Sequence, residues 1–76
     1  KISFNYYGPS VEAVLDKFPM AKVVDKQEGV CSIEAEVFGT GVKMWLLSQG
    51  SKVKVTSPET LVQEMKQEIE KMDDWY

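Results

Sequence analysis

From Ile2 to Tyr7 apolar and polar residues alternate, the two-residue period of a half-buried strand. Gly8-Pro9-Ser10 interrupts it and opens a helix, with either Pro9 in the first turn or Ser10 as the cap. Val11, Val14, Leu15 and Phe18 then recur on one helical face until Pro19 ends it. Met20 to Lys26 and Val30 to Phe38 read as two strands joined by Gln27-Glu28-Gly29. A three-residue hairpin loop wants its last residue in the left-handed region, where glycine costs least. The register this implies pairs Lys26 with Val30, Val23 with Ile33 and Lys22 with Glu34. Ala21, Val23, Cys31, Ile33, Ala35 and Val37 then share the core face, and Glu36 lies beside the Lys22–Glu34 pair on the other.

Thr40-Gly41 breaks the chain again, and Val42 to Gln49 forms a short apolar helix with Gly50 just past its end. Ser51 to Thr56 alternates once more, Val53 and Val55 inward, Lys52 and Lys54 outward. Ser57 is placed to cap a last helix whose first turn accommodates Pro58. Its apolar stripe is Leu61, Val62, Met65, Ile69 and Met72, finished by Trp75 or Tyr76. The order β-α-β-β-α-β plus a C-terminal helix specifies an α+β, ferredoxin-like fold. Its four-stranded antiparallel sheet has the spatial order 4-1-3-2, with two helices on one face and the other face open.

With 76 residues the chain makes a single domain, residues 1–76. A core of this size supplies roughly 3–5 kcal/mol unless it is stapled. One cysteine forbids an internal disulfide, so the expectation is very regular packing or burial against a partner. There is no histidine and every basic residue is lysine, which removes the usual general base and the bidentate fork that grips phosphate. A net charge of −3 and a pI near 4.8 argue against nucleic-acid binding by this piece alone. No run is apolar and long enough to span a membrane, no signal peptide begins the chain, and a lone cysteine suits a reducing cytoplasm. Starting at Lys1 directly into a strand pattern, the sequence reads as a fragment of a larger protein.

Candidate chemistry is sparse. The open sheet face should carry Ser3, Asn5, Glu34 and Glu36 at its centre with Lys22, Lys52 and Lys54 toward the edges, a solvated surface rather than an RNA platform. Cys31 reads as a small buried hydrophobe, and Glu34 and Glu36 lack a pocket or metal partner that would make them a dyad. No catalytic, cofactor-binding or metal-binding residue is assigned, and an enzyme is not expected. The last helix is different: two other helices already cover the sheet, so its stripe must pack at an edge, on the open face or on another chain.

Trp45-Leu46-Leu47-Ser48-x-Gly50, then Val53-x-Val55 and Pro58-x-x-Leu61, resembles the C-terminal extension (WCX) of WYL-domain transcriptional regulators, bacterial proteins of the DeoR or helix-turn-helix type. The hairpin pattern Gly29-Val30-x-x-Ile33-x-Ala35-x-Val37-Phe38-Gly39 agrees with it, and the resemblance covers nearly the whole chain. It implies a C-terminal fragment of a regulator whose N-terminal helix-turn-helix and middle WYL domain lie outside this sequence. It further implies a role in dimer contacts or in passing a signal to the DNA-binding part, DNA being touched only through the missing domain. No ligand residue of the family can be carried onto a position here.

Two functional expectations follow. The first is a regulatory and dimerisation module whose partner is a second copy or another domain of the same regulator. Its contacts would come from Leu61, Val62, Met65, Ile69, Met72, Trp75 and Tyr76, with no membrane partner. The alternative is an effector sensor for a small molecule or nucleic acid, with Tyr6, Tyr7, Phe38 and Trp45 lining a cleft, although such aromatics more often belong to a core.

Overall fold

The computed structural model describes residues 1–38 and 41–76. The elements run β1 (Ile2–Tyr6), α1 (Val11–Lys17), β2 (Lys22–Gln27), β3 (Val30–Ala35), α2 (Gly41–Ser48), a 3-10 turn (Gly50–Lys52), β4 (Val53–Ser57) and α3 (Glu59–Asp73). The strands form one antiparallel sheet in the order β2-β3-β1-β4, so the ferredoxin-like arrangement and its 4-1-3-2 strand order are as expected. Gly39 of the family pattern and Thr40 of the break before α2 lie outside the described residues.

The alternation in β1 does what its period dictates. Ile2, Phe4 and Tyr6 are buried, while Ser3 and Asn5 are half-exposed on the opposite face. Ile2 pairs with Ala35 and Phe4 with Ile33, so the inward residues of the two central strands form one layer. Val14 from α1, Leu46 from α2 and Leu61 from α3 close over it. Phe18 caps the end of α1 by donating its N–H to the Val14 carbonyl at 2.9 Å, and Ser10 occupies the N-cap, which leaves Pro9 outside the helix.

The hairpin between β2 and β3 departs from the expected register near its turn. Lys22 faces Glu34 and Val23 faces Ile33 as anticipated, but Asp25 faces Ser32, Lys26 faces Cys31 and Gln27 faces Val30. A bulge at Val24 absorbs the extra residue, and the turn is the two-residue Glu28-Gly29. Gly29 holds φ at +82°, and Glu28 is not left-handed, so the positive angle falls on the second central residue alone, as in a type II turn. Val23 was expected in the core, yet it is exposed. No β2 residue joins the core cluster, because β2 is an edge strand and the buried helix residues Val14 and Leu46 sit with β1 and β3.

Two boundaries near the C-terminus also move. Lys52 belongs to the 3-10 turn rather than to β4, and Ser57 is the last residue of β4 rather than a cap. Pro58 takes the N-cap of α3, its carbonyl accepting from Leu61 N–H at 3.0 Å and Val62 N–H at 3.1 Å. Gly50 has φ of +62°, the left-handed conformation expected after a helix end.

Candidate interaction surface

Local chemistry makes α3 a helix before any packing does. Its residues Glu59–Asp73 are mostly strong helix formers, Gln63 donates to Glu59 one turn back at 2.7 Å, and Glu59 and Lys71 complement the two ends of the helix dipole. The helix then lies along β4, the edge strand. Leu61 is buried in the common core, only 7% exposed, and Met65 packs against that core half-buried. On the same flank Glu68 bridges to Lys43 of α2 at 3.5 Å, a partly exposed pair that adds little to the packing of Leu61 and Met65.

Beyond Glu68 the stripe loses its support. Ile69 is 53% exposed and Met72 47% exposed, and Trp75 and Tyr76 stand almost wholly in solvent. The cause is length. Fifteen helical residues span about 22 Å at 1.5 Å each. The five residues of β4 span about 17 Å, and the core beneath α3 ends sooner. Of the candidate contact residues, then, Leu61 is committed to the core, Met65 packs half-buried against it, Val62 is half-buried outside that cluster, and Ile69, Met72, Trp75 and Tyr76 are exposed.

A groove with a volume of about 250 Å³ runs between the free edge of β4 and α3, lined by Val53, Lys54, Val55, Val62, Met65, Lys66 and Ile69. Its floor is apolar, and its two charged residues are both lysines. The edge strand on the opposite side of the sheet is protected differently: β2 carries a bulge and alternates Lys22, Asp25 and Lys26 along its length, devices that discourage strand addition. Val53 and Val55 are therefore groove residues as well as core-facing ones. The expected strand order already placed β4 at an edge, which was the signal for this.

The signature residues Trp45, Leu46, Leu47, Gly50 and Pro58 are structural. Trp45 meets Phe18 edge-on at 5.0 Å between ring centroids and Phe4 at 6.0 Å, and Leu46 is fully buried beside them. The four aromatics proposed for an effector cleft are not brought together. Tyr6 is buried in the sheet layer, Trp45 is engaged with Phe4 and Phe18, Tyr7 lies at the end of β1, and Phe38 is 93% exposed.

The open sheet face is polar. Ser32 donates to Asn5 Oδ1 at 3.0 Å, and Glu34 is bridged by Lys1 Nζ at 3.0 Å. Lys22 stands across from Glu34 in the ladder, as expected, but the ion pair is made by Lys1. Glu36 lies past the end of β3 rather than at the centre of the face. Cys31 is half-buried against the core with a free thiol. Among the described residues, no cluster of three or more His, Cys, Asp or Glu side chains could hold a metal, and no helix is long and apolar enough to cross a membrane. What this arrangement can do chemically is bind an apolar surface flanked by acidic groups.

A family model described as WCX domain matches residues 3–72. No curated protein and no solved structure matches the chain.

Proposed function

Because the chain belongs to the WCX domain family, we propose that it is a regulatory domain of a WYL-type bacterial transcriptional regulator that works through protein–protein contacts and not by catalysis. Those contacts control how the regulator's DNA-binding part assembles on DNA in the cytoplasm. One observation carries this reading: the apolar stripe of α3 continues past the core it packs on, leaving Ile69, Met72 and Trp75 exposed beside an apolar groove. A contiguous apolar surface rimmed by charge is characteristic of a docking site. The lack of histidine and arginine supports binding over catalysis, since acid–base and phosphate chemistry lose their commonest groups.

The test is made in the regulator that carries this domain, with Ile69→Glu and Met72→Glu introduced together. Both positions are solvent-exposed in the domain, so its fold is retained. The expected result is a lower assembled mass in sedimentation and weaker DNA binding. Unchanged assembly and unchanged DNA affinity would refute the reading. Removing the whole segment from Val62 onward is a poorer test, because it deletes Met65 from the packing around the core.

A further inference from the structure

Tyr7 donates its N–H to the Lys52 carbonyl at 2.7 Å, and Tyr6 faces Val53 in the ladder, so Tyr7 and Lys52 form a hydrogen-bonded pair. Such pairs alternate along an antiparallel ladder. The main-chain groups of Lys54 therefore turn toward Asn5, and those of Val53 and Val55 turn away from β1. Among the described residues no strand lies beyond β4 to pair with them. The register shift at Thr56 bounds this open edge on one side, and the 3-10 turn ending at Lys52 bounds it on the other.

The side chains of the same two valines line the apolar groove together with Val62, Met65 and Ile69 of α3. Lys54 alternates to the open face of the sheet yet lines the groove as well, so the groove opens at the edge of the strand. We infer that it receives an extended segment of a partner protein in which apolar and acidic residues alternate, added to the sheet as a fifth strand beside β4. This deepens the proposed function by naming the kind of partner, and it rests on that reading.

Strand addition determines where the segment's side chains go. Residues opposite Val53 and Val55 share their face, so they enter the groove against Met65 and the exposed side of Ile69 and must be apolar. The residue between them stands opposite Lys54 on the other face, where a carboxylate is favoured. Both charged residues of the lining are lysines, and among the described ion pairs neither Lys54 nor Lys66 takes part. The same charges disfavour a second copy of β4 as the added strand. A two-fold between two Lys54 residues sets lysine against lysine, and one centred on Val53 sets Lys54 against Lys52. One centred on Val55 runs into the register shift at Thr56.

The full chain, isotope-labelled for amide resonances, is titrated with a short capped peptide of alternating valine and glutamate. Binding should shift the Val53 and Val55 amides and slow their exchange with solvent. A version N-methylated on the amides that face β4 keeps every side chain but should not bind. Replacing the glutamates by lysine should weaken binding about tenfold, and Lys54→Glu with Lys66→Glu, both at exposed positions, should reverse that preference.

Equal binding by the N-methylated peptide, or shifts confined to α3, overturns strand addition. Equal binding by the two charge patterns overturns the acidic character of the partner. If Val53 and Val55 respond to none of these peptides, the inference is overturned, whereas weaker assembly of the regulator carrying Ile69→Glu with Met72→Glu would still leave α3 as its contact surface.

Discussion

Leu61 and Ile69 lie on the same stripe of the same helix, but they should respond to truncation quite differently. Leu61 is 7% exposed and belongs to the common core cluster, so Leu61→Ala removes transfer energy and leaves a cavity. The cost is about 3 kcal/mol. A domain of this size holds roughly 3–5 kcal/mol in all, so this variant sits at or near its unfolding midpoint in buffer. Ile69 is 53% exposed within one copy. Truncating its buried half costs about 1 kcal/mol, and alanine's better helix propensity returns about 0.4 kcal/mol of that. Net destabilisation is then roughly 0.5 kcal/mol.

Urea unfolding followed by Trp45 fluorescence reads both variants. Trp45 loses its contacts with Phe4 and Phe18 on unfolding, whereas Trp75 is already solvated and contributes a nearly constant background. The protein is held at low micromolar concentration so that association adds nothing to stability. Equal costs for the two truncations would refute the division of α3 into a core half and a free half.

Gly29 and Gly50 hold positive φ with nothing within 4 Å of an added Cβ, so Gly29→Ala costs about 1 kcal/mol through backbone conformation alone, and Gly29→Asn costs less, both read as shifts in urea midpoint. At Gly8 the backbone is permissive but a Cβ would land on the Tyr6 ring. Gly8→Ala therefore costs about 1–3 kcal/mol by overpacking, and most of that disappears in a Tyr6→Leu background, a coupling that a double-mutant cycle measures directly.

The strand order, the buried faces of β1 and β3 and the core position of Trp45 could be read from the sequence pattern, because a strand or helix face shows in the pattern whatever lies opposite it. The hairpin shows where that stops. A three-residue loop and a two-residue turn preceded by a bulge at Val24 both place Gly29 at positive φ and both pair Lys22 with Glu34. Only the geometry of the assembled sheet separates them. Val23 has the pattern of a core residue, but whether a helix reaches over β2 depends on tertiary placement, and no β2 residue joins the buried cluster.

The same limit governs α3. Periodicity identifies its apolar side, yet says nothing of how far the core extends beneath it, and so could not divide Leu61 and Met65 from Ile69 and Met72. Ser57 suits a cap and Pro58 a first turn, but β4 continues through Ser57, so the cap moves on to Pro58 and the helix begins at Glu59.

Amide hydrogen exchange along α3, measured as a function of protein concentration, tests the central claim that the outer half of this helix is covered by a protein partner. From Glu59 to Met65 the amides are shielded by the domain's own core, and their protection should not depend on concentration. From Ile69 to Trp75 exchange should be fast in the dilute chain and should slow wherever a partner docks, in the concentrated chain or in the intact regulator. Protection of the outer turns that is the same at every concentration, in the chain and in the intact regulator alike, would contradict the account.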